Sequence, residues 1–170
     1  MPNYKRLRQP GGTYFFTLAL AERNNNDLLV RHIAILRRAI SEIKAKHPFR
    51  THAVVVLPEH VHLMITLPQG DSDFFTRIRL IKFSFTKLVN RSTGQAQSVW
   101  QKGYWEHLIR DQQDFDNHFN YIHFNPVKHG YVDKTKDWPH STFHIYVERG
   151  VLDAEWGQKN EVEISGAEYD

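Results

Sequence analysis

Between Thr51 and Pro68 the chain carries two apolar runs, THAVVVLP and HVHLMITLP, separated only by Glu59 after Pro58. Proline cannot donate to a ladder and a charged residue comes next, so the two runs are expected to be antiparallel strands of one hairpin. In the second run Val61, Leu63, Ile65 and Leu67 fall on one side, and His60, His62, Met64 and Thr66 on the other. Such a strand needs a layer over its aliphatic side and leaves two imidazoles side by side on the opposite side. The chemistry open to the chain depends on the element that covers that second side.

The flanking segments supply the layers. TYFFTLALA (13–21), after the turn signal Pro10-Gly11-Gly12, reads as a first strand. Asp27 can cap a helix on which Ile33, Leu36, Ile40 and Ile43 recur at helical spacing, and Pro48 marks its end. Asp71 or Asp73 opens a second helix with Phe74, Ile78, Ile81, Phe85 and Leu88 as its stripe, ended by RSTGQAQS. GYWEHLIRD (103–111) supplies a fourth strand. The order strand, helix, strand, strand, helix, strand predicts an α+β, ferredoxin-like βαββαβ fold, an antiparallel sheet with both helices on one face.

The histidine face is then open, and DQQDFDNHFNYIHFN (111–125) is the element expected to cover it. The pattern predicts a helix that starts near Asp114, buries Phe115, Phe119 and Ile122, and stops at Asn125 because Pro126 is next. His118, Tyr121 and Asn125 fall within about 60° on one flank of such a helix. One domain is expected over residues 1–157, then an acidic, mobile tail over 158–170.

Composition narrows the chemistry. With no cysteine among 170 residues, neither a disulfide framework nor a thiolate metal site can form. No run approaches the roughly 18 apolar residues of a membrane helix, and the N-terminus has no apolar leader, so a cytoplasmic protein without membrane contact is expected. Net charge is only +3, but acid is concentrated after Asp153, which leaves the body more basic than the total implies.

Two imidazoles with an amide oxygen suit a divalent ion such as Mn²⁺, or Mg²⁺ where phosphate and water oxygens complete the shell. His60 and His62 are the candidate ligands and Asn125 a third. Such an ion draws charge from a phosphate, and Tyr121 can then attack as nucleophile, leaving a phosphotyrosine linkage. A phenol with a reference pKa near 10 needs a positive neighbour or a proton acceptor for that task. Eleven histidines make a chance His-x-His pair unsurprising, and a tyrosine on an amphipathic helix is ordinarily a core residue. The joint arrangement carries the reading.

The runs LPEHVHLMITLPQGDSDF, SVWQKGYWEHLIRDQQDFDNHFNYIHFNPVKHGYV and DWPHSTFHIYVERG resemble the REP-associated tyrosine transposases of bacteria, single-tyrosine HUH nucleases, over about residues 1–157. The resemblance implies the ferredoxin-like fold and His60 and His62 as metal ligands. It further implies Tyr121 as the nucleophile that forms a 5′-phosphotyrosine, and Asn125 in the place of the third ligand. It also implies a single-stranded DNA partner with REP-like hairpins, and a bacterial, nucleoid-associated location when DNA is bound. Glu59 stands where the family often has aspartate or asparagine; it either orients a ligand or finishes the turn, and the turn is the expectation. Lys102, Arg110 and Lys128, interleaved with Tyr104, Trp105 and His129, would line a single-strand channel. Arg6 and Arg8 would form an arm into a groove, and Arg77, Arg79 and Lys82 would grip hairpin phosphates. No dimer stripe is visible, so a monomer is expected. The rival readings are a REP-binding protein that does not cut, and a phosphoesterase using activated water with Tyr121 only structural.

Overall fold

The computed structural model describes residues 6–159. The strands are β1 (Thr13–Ala19), β2 (Arg50–Val56), β3 (His60–Thr66) and β4 (Trp105–Leu108); the helices are α1 (Leu28–Arg31), α2 (Ile33–Lys46), α3 (Phe74–Thr93), α4 (Gln112–Lys128) and α5 (Phe143–Glu148). The sheet order is β2-β3-β1-β4, and each neighbouring pair is antiparallel. This is the expected ferredoxin-like α+β arrangement, with the hairpin between β2 and β3 in place. Of the expected tail, only Gln158 and Lys159 fall within the described residues.

Alternation along the central strands splits the interior in two. Phe16 and Leu18 of β1 and Val61, Leu63 and Ile65 of β3 pack with Leu36 and Ile43 of α2 and with Phe74, Ile78, Ile81 and Phe85 of α3. Each such side chain, fully removed from water, contributes about 1.5–3 kcal/mol. On the other face Phe15, Ala53, Val55 and Met64 meet Tyr121 and Ile122 of α4. Both faces of the sheet are therefore covered, which explains why β3 is buried at every position but Thr66.

Helix boundaries depart from the sequence reading in three places. The first expected helix is two: the chain breaks at His32, and Asn26 rather than Asp27 accepts the Leu28 N–H through its side chain. Asp73 caps α3 by accepting from Thr76, and the helix runs three residues into the polar stretch before Gly94 ends it at φ +71°. The helix α4 exceeds expectation at both ends. Asp111, in extended conformation, accepts from Asp114 N–H and so opens the helix, while Asp114 lies inside its first turn. Pro126 lies within the helix instead of ending it at Asn125. An interior proline removes its own N–H and crowds the carbonyl one turn back, a cost of about 3 kcal/mol; here His129 still donates to Asn125 O, and Pro126 and Val127 are both buried, which offsets it.

The C-terminal segment closes the edge of β2. Val56 donates to His140 O, Thr142 donates to Val54 O, and Trp138 Nε1 donates to Val56 O at 3.0 Å. An otherwise open strand edge is thus paired with residues from far along the chain. Among the described residues no helix is long and apolar enough to cross a membrane.

Several imidazoles are folded away from water. Burial pushes His123 down to about 4 against a bond that favours its charged form, and burial also lowers His118, His52 and His140, the last two with help from Arg50 and Arg37. An unfolded histidine takes its proton near pH 6.5, so between about pH 6.5 and 4 the unfolded chain binds more protons than the folded one and stability falls as pH falls. The urea midpoint should therefore be lower at pH 5 than at pH 7.5. Equal midpoints would contradict this burial.

Candidate active site

The alternation of β3 places His60 and His62 under α4, both fully buried. Their Nδ1 atoms are held by different neighbours. Thr17, directly opposite His62 in β1, bonds it through Oγ1 at 2.9 Å. Glu59 Oε1 lies 2.9 Å from His60 Nδ1 and accepts from Arg23 at 3.0 Å, while Tyr131 OH donates to the other oxygen at 3.4 Å. The expectation that Glu59 merely finishes the turn is therefore corrected: it orients His60. Burial opposes its ionisation, yet the bond to His60, the histidine's charge and Arg23 hold the carboxyl down at about 2. The two rings stand edge to face, with centroids 4.8 Å apart.

The helix α4 brings the second half. Tyr121 is buried, with its ring 5.3 Å from that of His62 and 6.0 Å from that of Phe15. Asn125, one turn further on, is also fully buried. Lys128, two turns from Tyr121, donates from Nζ to the phenol oxygen at 3.3 Å. The ring of His129 comes within 5.3 Å of His60. The sequence reading placed Lys128 among DNA contacts; its spacing of seven residues from Tyr121 was the signal that it returns to the same flank of the helix. An ammonium in this position favours the phenolate that must form if the oxygen is to attack.

Beside this pair lies a second cluster. Asp114 accepts from His107 Nε2 at 2.8 Å, from Arg110 N–H at 2.9 Å and from the Arg110 guanidinium at 3.3 Å, and His118 Nδ1 lies 3.1 Å from its other oxygen. The rings of His107 and His118 stack at 4.6 Å. Burial raises the Asp114 carboxyl, but the bonds from His107 and Arg110 outweigh it and keep it ionised. The cluster's ligand atoms lie within 4.8 Å of one another, close enough to hold an ion. The i, i+4 spacing of Asp114 and His118 was visible in the sequence, but the strand residue His107 was not.

The remaining basic candidates are scattered. Arg77 is buried and committed: its guanidinium donates to His47 O, Pro48 O, Asp73 O and Asp71. It ties the loops before β2 and α3 together and cannot reach a phosphate, which corrects its assignment to DNA. Lys82 donates to Gln101 O and Gly103 O. Arg6 lies over Tyr104, 4.5 Å from the ring centroid, and pairs with Glu106 at 3.6 Å. Arg8, Arg79, Lys102 and Arg110 are exposed, Arg79 on α3 and so on the far side of the sheet from the histidines. Trp105, expected along the single-strand channel, is 45% exposed, whereas Trp100 is buried and Trp138 partly buried.

Comparison with known proteins places the family and the fold. The profile of the family described as "Transposase IS200 like" matches residues 17–125. A REP-associated tyrosine transposase of Escherichia coli is 45% identical over 92% of this chain and 91% of its own length. A putative REP-associated tyrosine transposase of Haemophilus influenzae is 39% identical over 98% and 99%. The solved structure of a REP-associated tyrosine transposase bound to a REP hairpin superposes with a TM-score of 0.86 at 42% identity, covering 99% of this chain and 98% of that one.

Because Asp114 ties the first turn of α4 to β4 through His107 and to the residues after β4 through Arg110, Asp114→Asn should destabilise the fold by about 1.5–3 kcal/mol, the worth of charged hydrogen bonds. Urea unfolding measures this. An unchanged midpoint would mean that the cluster does not hold α4 in place.

Proposed function

The chain belongs to the IS200-like transposases and within them to the REP-associated tyrosine transposases, and from that membership we propose that it cuts and rejoins single-stranded DNA at REP-like hairpins through a covalent bond to Tyr121. The observation that carries the proposal is the closeness of Tyr121 to both the His62 ring, 5.3 Å between centroids, and the Lys128 ammonium, 3.3 Å from the phenol oxygen.

His60 and His62, with Asn125 as third ligand, would hold a divalent ion, Mg²⁺ or Mn²⁺. The donor set fits: two imidazoles, each fixed through Nδ1 by Glu59 or Thr17, and an amide oxygen from α4. When bound, such an ion neutralises charge on the phosphate under attack. The protein does the rest. Lys128 stabilises the phenolate as the phenol gives up its proton, the Tyr121 oxygen bonds phosphorus as the bond from phosphorus to the 3′ oxygen breaks, and that oxygen takes up one proton in place of the one the phenol lost, so one phosphodiester is exchanged for another and the joining step needs no outside energy source. The ring of Phe15 packs edge-on to Tyr121 and limits its rotation.

Incubation with a REP-like hairpin oligonucleotide and Mn²⁺ should give a protein–DNA adduct that Tyr121→Phe cannot form. Cleavage without an adduct in the parent protein would support activated water instead, and hairpin binding without any cleavage would support a binding protein. Lys128→Met should slow adduct formation about 10- to 100-fold, with the loss shrinking as pH rises and the phenol ionises unaided. A pH-independent loss would assign Lys128 to DNA binding.

Glu59→Ala should weaken Mn²⁺ binding about 10- to 100-fold, because His60 loses the acceptor that sets its ring. Calorimetric titration of the ion measures this without DNA, and an unchanged affinity would remove Glu59 from the site.

A further inference from the structure

The helix α3 carries five basic residues and no acidic one over its 20 residues. Surface helices ordinarily mix signs, because opposite charges four apart stabilise and like charges destabilise. Among the described residues the one ion pair made by a basic side chain of α3 is that of the buried Arg77 with Asp71. Up to Arg91 its exposed positions recur every fourth residue: Phe75, Arg79, Phe83, Lys87 and Arg91. Phe75 is 42% and Phe83 62% exposed. This ladder of alternating aromatic and cationic side chains, then two cations, winds about 40° per step and runs about 24 Å along the helix.

Exposed phenylalanines between cations suit neither solubility nor the backbone of a duplex, whose bases are stacked away. They suit a single strand, whose unstacked bases lie on aromatic faces while its phosphates meet the cations. Successive rungs are about 6 Å apart, comparable with consecutive phosphates of an extended strand.

The ladder is also joined to the histidine face. Thr17 bonds His62, and its partner across β1 and β4 is Trp105, exposed at the sheet edge. Next to Trp105 is Tyr104, over which Arg6 lies; the same guanidinium is 6.0 Å from the ring centroid of Phe75, the first rung. Aromatic and cationic groups thus lead round β4 from one face of the sheet to the other.

We propose that the outer face of α3 is a binding track for the single-stranded DNA that flanks the hairpin, entered from the active site over Trp105 and Arg6 and continuing along Phe75, Arg79, Phe83, Lys87 and Arg91. The inference rests on the DNA-cutting function proposed above and adds a second surface, opposite the histidines. It also gives α3 a role that the hairpin contacts assigned from sequence did not.

The test is binding of hairpin oligonucleotides with 5′ or 3′ single-stranded flanks from none to about 12 nucleotides, within known single-strand site sizes. One flank should raise the parent protein's affinity, and Phe75→Ala and Phe83→Ala should each cut that gain about 10-fold. Lys87→Gln and Arg91→Gln combined should lower the slope of log affinity against log salt by about 1.4 for the flanked hairpin. Binding and cleavage of the flankless hairpin should be unchanged in all of them. No gain from either flank, a gain that survives in the variants, or an equal loss on flanked and flankless hairpins would overturn the proposal. So would a self-association of the parent that Phe83→Ala abolishes in sedimentation. Failure of the cleavage reading would appear separately, as a missing Tyr121 adduct, since this series reads binding alone.

Discussion

The bond between Thr17 and His62 across the β1–β3 ladder is the contact on which the site depends. It exists because the register sets Thr17 opposite His62 and the period of two turns both side chains to the same face. A slip of one residue would exchange His60 and His62 for Val61 and Leu63, burying imidazoles among the aliphatic side chains of α2 and α3. Leu63 and Ile65 on one side and Met64 on the other make that slip expensive. Hydrophobic packing on both faces thus fixes the position of two polar rings.

The second constraint is α4, which is both cover and chemistry. Its apolar side, through Ile122, seals the smaller core, and the same turns present Tyr121, Asn125 and Lys128. The Asp111 cap sets where the helix begins, and the bonds that Asp114 accepts from His107 and Arg110 tie its first turn to β4 and the residues after it. At the other end, continuation through Pro126 is what carries Lys128 back to the phenol. Had the helix stopped at Asn125, the ammonium would have no reason to lie there.

Much of this was legible in the sequence, and the reasons differ by residue. Strand alternation and the Pro58 break are local signals, so the hairpin, the fold and the face bearing His60 and His62 could be read directly. Asp73 as a cap is equally local. Features that depend on distant partners could not be read in the same way. Arg77 looked like a surface cation, but its acceptors come from residues around 47, 48 and 71. Glu59 looked like a turn residue, whereas Arg23 and Tyr131 converge on it from elsewhere in the chain. The pairing of residues 140–142 with β2 involves segments more than eighty positions apart. Pro126 misled because the local rule against helix before proline was outweighed by burial of the next turn.

The paired histidines of β3, facing Tyr121, are where we propose that a divalent ion binds. A rival lies nearby in His107, Asp114 and His118, whose ligand atoms are close enough for an ion. The direct measurement is electron spin echo of Mn²⁺ bound to the protein, which detects coordinated imidazole nitrogens. Nitrogen couplings should be present in the parent protein, be lost or halved in His62→Gln, and persist in His107→Gln. Couplings that survive His62→Gln and vanish in His107→Gln would place the ion at the other cluster and contradict this assignment.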